Sequence, residues 1–403
     1  MPSTLEPSDH IIRVLAFMEA CSVTGPAKNL IAFARRVRSL TSATGSGVEL
    51  SVVTFHRDSA PPDRFLSALE KAGIPTHVIR ERFAGDPAVI RQLLHIVKCQ
   101  RPDIIQTHNS KSHFLVRVTG LVRRVPWIAF HHGFTATNLK DKLHSQVARW
   151  VMKGATHIIT VCQAFSRELT LSGIPASRIS LQHNSVESFV RPTDEEVSLL
   201  RRQLRIPRDV RVVLAVGRLS SEKGHIDLIE GVALLRAADA ATEFQVVIVG
   251  EGPERKVLEG RSQELGLGGR VLFVGQQRNV RPYYAIADIL VLPSHSEGSP
   301  NVLLEAMAAG VSIVATAVGR TLELVCNEKT ALLVPSHDPT SLSQAIGLLL
   351  RDRALAHRLA VAAQTAACRC SPEAYTRSLL EIYVSVLQGR QQTRGVTAQL
   401  YVD

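Results

Sequence analysis

The sequence predicts an α/β protein of two doubly wound, Rossmann-like domains facing each other across a cleft. Three observations carry that prediction. Short apolar runs alternate with helical stretches of ten to fifteen residues, which is the signature of βαβ units and parallel sheets covered on both faces. The alternation pauses near Arg191–Pro192 and then resumes. At 403 residues the chain also exceeds what one hydrophobic core usually organises.

In the first half, strands are expected at Ile11–Phe17, Val48–Phe55, Thr76–Ile79, Asp103–Thr107, Trp127–His131, His157–Val161 and Ile179–Gln182. Helices are expected between them at Ala27–Leu40, Asp63–Ala72, Pro87–Cys99, Phe114–Arg123, Lys140–Met152 and Ala164–Leu171. A charged helix, Asp194–Leu204, opens the second half. Its strands are expected at Val212–Val216, Gln245–Val249, Val271–Val274, Asp288–Leu292, Ser312–Thr316 and Ala331–Val334. Its helices fall at Ile226–Ala237, Glu254–Leu265, Pro300–Ala309 and Thr321–Val325, and the chain after Asp338 is almost all helix.

Pro293–Gly310, PSHSEGSPNVLLEAMAAG, is the stretch around which the rest is arranged. An apolar strand closes on Pro293, a polar loop follows, and a Leu-, Met- and Ala-rich helix runs to Gly310. Ser299 is the expected N-cap and Pro300 the expected first helical residue. Such a helix start favours anions, because its N–H groups and dipole both face the strand's carboxyl end. Glu297 and Glu305 lie there about 80° apart in helical projection, so both could address one ligand. The alternative is a solvated loop carboxylate and a helix-surface charge. That alternative is strained for Glu305, flanked by Leu304, Ala306 and Met307.

Val213–Gly224, VLAVGRLSSEKG, is the second motif. A strand ends at Gly217, and Arg218 and Lys223 sit in the loop before the next helix. A planar guanidinium and a mobile ammonium together suit a diphosphate, although loop cations can equally be solvated. Gly250–Pro253, GEGP, ends the following strand in the same manner and is weak evidence alone.

Composition narrows the class. The chain is 45% apolar and 21% charged, ordinary for a soluble enzyme. Six scattered cysteines form no CxxC pair, so reduced thiols of a cytoplasmic protein are expected. The polar, acidic start MPSTLEPSDH is not expected to be a signal peptide, and no stretch is expected to span a membrane. Residues 1–190 hold 23 Lys and Arg against 13 Asp and Glu, and residues 191–403 hold 24 against 23. Nearly all of the +11 formal charge therefore sits in the first half, which points to an anionic partner or to a merely cationic surface. Aromatics amount to 5% and are not interleaved with the basic residues, so nucleic acid is not an expected partner.

The second half resembles the donor-binding domain of the retaining glycosyltransferases of family 4 (group 1), which have the GT-B fold. The resemblance rests on VGRLSSEKG (Val216–Gly224), VGEGP (Val249–Pro253) and FVG (Phe273–Gly275). It continues through Tyr284–Gly310, whose Glu297 and Glu305 stand in the family's E-x7-E frame, and VATAVGRTLELV (Val314–Val325). It extends over about residues 11–390. In the first half His132-Gly133 fits the family's His-Gly position and Gly25 its N-terminal Gly loop. Three departures touch the pattern: Thr24 where a paired glycine is usual, Ser185 in HNSVE, and Arg320 where Gly-Gly is common. The last two put donor selectivity in question, not the reaction class.

The resemblance implies a domain of residues 1–190 on the acceptor side, with a helix 372–390 packing back on it, and a donor domain of residues 191–371. It implies hexosyl transfer with retention from a nucleotide diphosphate sugar to a saccharide or lipid-linked acceptor, as in polysaccharide or lipopolysaccharide biosynthesis. Arg218 and Lys223 would hold the diphosphate, Glu297 would meet the sugar, Glu305 the ribose, and His132 would lie against the sugar. Gly25, Gly217, Gly250, Gly275, Gly298, Ser299, Pro300 and Asn301 would line the donor. His108 and Lys111 are the acceptor-side candidates, with a backbone-satisfied His108 as the alternative, and His131 would orient the loop. No Asp-x-Asp pair occurs, so no metal and no other cofactor is expected. The basic first half suggests an anionic membrane surface and a peripheral location on its cytoplasmic face. The helix near residues 140–153 is the expected contact, with Leu143, Val147, Trp150 and Val151 on one face. A non-hydrolysing nucleotide-sugar epimerase and a basic binding protein are the competing readings.

Overall fold

A computed structural model describes residues 11–399 apart from 21–22, 45–46, 58–62, 84, 134–138 and 240. The chain divides into two compact units. The first comprises Met1–Asn184 with Pro372–Asp403, and the second Ser185–Ser371. The pause in the sequence pattern at Arg191 falls a few residues beyond this division.

In the first unit the strands are β1 (Ile11–Phe17), β2 (Gly47–Arg57), β3 (Thr76–Glu81), β4 (Ile104–Thr107), β5 (Trp127–His131), β6 (His157–Thr160) and β7 (Ile179–Leu181). They form one parallel sheet in the order β3-β2-β1-β4-β5-β6-β7. Helices α1 (Gly25–Thr44), α2 (Arg64–Lys71), α3 (Ala88–Gln100), α4 (Ser110–Val118), α5 (Leu139–Met152) and α6 (Gln163–Leu171) connect them. The side-chain period of two sends Val14 and Ala16 into one core and Leu15 and Phe17 into the other, so both faces of β1 are buried.

The second unit repeats the plan. Helix α7 (Asp194–Gln203) leads into β8 (Arg211–Val216), α8 (His225–Ala238), β9 (Phe244–Val249), α9 (Arg255–Glu264) and β10 (Val271–Phe273). Then come α10 (Arg281–Ile286), β11 (Ile289–Leu292), α11 (Asn301–Ala309), β12 (Ser312–Thr316), α12 (Thr321–Leu324) and β13 (Leu332–Val334). Helices α13 (Pro339–Arg351) and α14 (Arg353–Ala367) follow. The parallel sheet runs β10-β9-β8-β11-β12-β13. Val213 and Ala215 enter one core and Val212 and Leu214 the other.

Helix α15 (Pro372–Gln399) belongs to the first unit. Its Tyr375, Leu379, Tyr383 and Val386 form a buried stripe in the core that includes α1. Phe33 of α1 meets the Tyr375 and Tyr383 rings edge-on at 6.1 and 6.0 Å.

Three expectations change. The helix expected at Phe114–Arg123 starts earlier and breaks. Asn109 and Ser112 form a capping box before it, and Gly120, with φ +66°, separates α4 from a 3₁₀ turn at Leu121–Arg123. Helix α1 runs from Gly25 to Thr44, beyond both ends of the apolar periodicity. Helix α10 was not legible, because six residues opening at Arg281-Pro282 are too few to show a period. Among the described residues Cys99, Cys162, Cys326, Cys368 and Cys370 are free thiols, and no helix is long and apolar enough to cross a membrane.

Candidate functional site

The strand order reverses direction between β8 and β11, which are neighbours in the second sheet. Ligands of doubly wound sheets bind outside the carboxyl ends of the strands at that point. Both sequence motifs are the loops leaving those two strands, so the topology places them side by side.

The floor is made by three strand ends. The N–H of Gly217 donates to Val249 O at 3.0 Å, and that of Gly250 to Gly275 O at 3.0 Å. A Cβ on Gly250 would stand 1.7 Å from Gly217 O, and its φ is +153°. Only glycine fits there. Beyond Gly217, buried Leu219 is pinned by backbone bonds to Glu251 and Glu254, and a 3₁₀ turn, Ser221–Lys223, carries the lysine. Arg218 is exposed on the same loop.

Lys223 Nζ lies 2.7 Å from Glu297 Oε1, and Ser294 Oγ donates to the same oxygen at 2.6 Å. Glu297 is buried, 6% exposed, so it is no solvated loop residue. The loop is held further by its backbone. The N–H of His295 donates to Glu222 O at 2.9 Å, and that of Arg320 to Glu297 O at 3.2 Å. Arg320 itself is fully buried, with Nη1 donating to Ser299 Oγ at 2.7 Å.

That bond corrects the expected helix cap. Pro300, extended at φ −74° and ψ 93°, is the boundary residue, makes no side-chain cap bond, and Asn301 is the first helical residue. The Ser299 hydroxyl serves Arg320 instead. Gly298, Ser299, Pro300 and Asn301 thus lead into a helix start, where anions are favoured. One turn on, Glu305 Oε2 accepts a bond from Tyr284 OH at 2.9 Å. Burial, and then the Glu305 charge, push the Tyr284 phenol well above its usual range, so it stays a donor.

In the first unit Gly25 opens α1, and the strand-end residues form a histidine cluster. His108, after β4, stacks on Phe130 at 4.6 Å and on His132 at 5.4 Å. A hydrogen-bond chain sets the tautomers. Tyr383 OH donates to Gln106 Oε1. Gln106 Nε2 donates to His108 Nε2 at 2.6 Å, and His108 Nδ1 to His132 Nε2 at 3.1 Å. His132 is left with its proton on Nδ1, which has no partner among the described residues. Burial pushes His132 down to about 4, and burial together with His132 and His113 holds His108 well below its usual value. His132 is therefore a neutral imidazole presenting one N–H. His131 is buried and packs against Phe165 at 5.0 Å.

Lys111 is engaged elsewhere: its Nζ lies 2.7 Å from Glu19 and 2.9 Å from Glu81. Burial would raise the Glu81 carboxyl, but Lys111 and Arg57 outweigh it and hold the group below its usual value. Sequence reasoning missed Ser294, Tyr284, Gln106 and Tyr383. Ser294 lay inside the quoted motif, whereas Gln106 and Tyr383 are 277 residues apart and carried no local signal.

The two carboxylates separate by role if the site takes a nucleotide. Glu305→Ala is expected to weaken nucleoside diphosphate binding by about 1–3 kcal/mol. Glu297→Gln should cost turnover more than that binding. Calorimetry on both variants checks the assignment, and equal affinities would contradict it.

Residues 197–366 match the family described as "Glycosyl transferases group 1", and residues 35–188 match "Glycosyltransferase Family 4". Among curated relatives, an uncharacterized glycosyltransferase of Methanocaldococcus jannaschii is 26% identical over 272 residues, 64% of this chain and 69% of that protein. A lipopolysaccharide core biosynthesis glycosyltransferase of Rhizobium meliloti is 32% identical over 194 residues, 48% of this chain and 55% of that protein. The chain spans about half the length of most of these relatives. An Anabaena protein solved with UDP and glucose superposes with a TM-score of 0.81 at 21% identity, over 93% of this chain and 100% of the other. That likeness concerns the fold: two parallel α/β domains of the GT-B type.

Proposed function

Since the chain belongs to the group 1, family 4 glycosyltransferases, we propose that it moves a sugar from a nucleoside diphosphate sugar to an acceptor hydroxyl with retention of configuration. The observation that carries this reading is the Lys223–Glu297 pair beside a helix start at the switch point of the second sheet. As the bond from C1 to the phosphate oxygen breaks, its electron pair moves onto the diphosphate. Lys223, Arg218 and the N–H groups opening α11 stabilise that charge where it develops. The acceptor oxygen bonds C1 on the face being vacated, and its proton passes to the departing phosphate oxygen. Glu297 holds a sugar hydroxyl and Glu305 the ribose. Side-chain cations serve the diphosphate in this reading, without a resident metal. His132 enters as the residue that the resemblance assigns to the sugar, and the first unit supplies it as a neutral donor.

The test is nucleoside diphosphate release with a panel of UDP-, GDP- and ADP-sugars, with and without saccharide and lipid-linked acceptors. Acceptor-dependent release supports transfer. Interconversion of the donor sugar without acceptor would favour an epimerase.

The acceptor side is proposed to meet an anionic membrane. Val151 of α5 is buried, but Val147 and Trp150 are exposed, Trp150 at 62%, alongside Phe114 and Val118 of α4. The expected single face is thus split between core and solvent, and Leu143 lies outside the described side chains. Arg117 sits over the Trp150 ring at 5.8 Å, and Arg123, Arg124 and Lys153, which follow α4 and α5 in the chain, are exposed. An exposed indole amid cations suits an anionic lipid interface, at about 1 kcal/mol per cation. The chain should sediment with anionic vesicles, release with salt, and lose binding in Trp150→Ala. Equal binding to neutral vesicles would contradict it.

A further inference from the structure

Asp227, His295 and His337 come from three separate segments of the second unit and serve no step above. Asp227 is in the first turn of α8 and is buried; His295 is in the loop after β11; His337 lies between β13 and α13 and is exposed. His295 Nε2 lies 2.9 Å from Asp227 Oδ2. The two imidazole centroids are 3.6 Å apart, closer than the about 4.5–7 Å of ordinary aromatic pairs. One ligand atom from each residue lies within 4.8 Å of both others.

We propose that Asp227, His295 and His337 form a binding site for a zinc-class divalent ion behind the diphosphate loops. Two imidazole nitrogens and one carboxylate oxygen are a borderline donor set that zinc accepts, with the fourth position open to water. Tetrahedral bonds of about 2.0–2.1 Å put donors about 3.4 Å apart. The Asp227–His295 separation of 2.9 Å and the 4.8 Å limit on the others leave donors to move by about an ångström or less each toward that spacing. Magnesium and calcium, which want oxygen ligands, are excluded by the same set. The backbone prepares the arrangement. His295 N–H is bonded to Glu222 O at 2.9 Å, and His337 holds a left-handed φ of +60° that turns it toward the loop. The N-termini of α8 and α13 oppose the added charge and weaken the site modestly.

The ion would act on the donor loops. His295 is two residues from Glu297, and a Cβ on Gly224, next to Lys223, would stand 2.9 Å from the His295 Nε2. Binding would tie the loop after β11 to residues 336–338 and fix the loop that presents Glu297.

The test uses the intact, tag-free chain, stripped with chelator, and needs no donor or activity. Calorimetric titration with zinc should show one equivalent, and cobalt should give the visible absorption of a tetrahedral site. Magnesium should give no heat. His337→Ala, at an exposed position, and Asp227→Asn should each weaken zinc binding about tenfold or more. His95→Ala, which removes the separate His95–Cys99 contact at 3.6 Å, should leave it unchanged. Absence of a stoichiometric equivalent, its survival in His337→Ala, or its loss in His95→Ala would overturn the site.

Discussion

Lys223→Ala is expected to lower kcat/KM by about 10²–10³-fold, the usual effect of removing one preorganised group that stabilises a departing oxyanion. The lysine has one duty in the structure and a second in the proposed reaction. Its ammonium neutralises buried Glu297 at 2.7 Å, and Ser294 shares that oxygen. In the proposed reaction the diphosphate would compete for the same ammonium and release Glu297 to a sugar hydroxyl. The variant should therefore lose stability as well as rate. A carboxylate left without its cation costs about 1–3 kcal/mol, moderated because Lys223 is partly exposed. Adding Glu297→Gln to Lys223→Ala should recover the stability and none of the rate. Steady-state kinetics and thermal unfolding on the three variants check both parts. Wild-type turnover in Lys223→Ala would remove the lysine from the mechanism.

Acid should destabilise the first unit far more than the second. His108, His131 and His132 are packed together at the ends of β4 and β5, with His113 of α4 bonded to Thr107 beside them. Burial holds His113 and His131 at about 3 and His132 at about 4, and His108 is also well below its usual value. All four are neutral in the folded chain and titrate near 6.5 once unfolded. Their folded values are depressed, so the stability that they supply is complete above about pH 6.5. It falls as the pH drops from there toward 3–4, because the unfolded chain takes up protons that the folded one refuses. Each histidine contributes a slope of about 1.4 kcal/mol per pH unit in that window. Burial lowers His225 to about 4 in the second unit and also depresses His157 in the first, so one such group opposes five. Unfolding followed between pH 7.5 and about 5 should show the first unit melting earlier as acid is added. Equal pH slopes for the two units would contradict the neutral cluster.

What was legible in the sequence was what short range encodes. The strands of both sheets follow from apolar runs, and the second sheet's switch point follows because its two loops carry their own chemistry. Glu297 stood out as a site candidate because a carboxylate lies between a strand end and a helix start, and the structure buries it beside Lys223 and Ser294. Its resting partner was not legible, because Lys223 is 74 residues away and meets it only when β8 and β11 become neighbours. The cap of α11 was misassigned for a related reason. Ser-Pro is a sound cap by local chemistry, and nothing local shows that Arg320 takes the serine hydroxyl. The same holds for Lys111, which reads as a free loop cation until Glu19 and Glu81 are brought beside it. The histidines divide the same way: His132 stood beside a telling glycine, whereas the chain from Tyr383 through Gln106 depends on α15 returning to the first unit.

In the proposed reaction Arg218, Lys223 and the start of α11 form a diphosphate site that needs no metal. Calorimetric titration of the chain with UDP, GDP and ADP in chelator-treated buffer tests it most directly. One of the three nucleotides is expected to bind under those conditions, and Arg218→Ala and Lys223→Ala should each weaken that binding about tenfold or more, the loss of one charge-assisted contact. Binding of none of the three without added metal, or unchanged affinity in both variants, would contradict it.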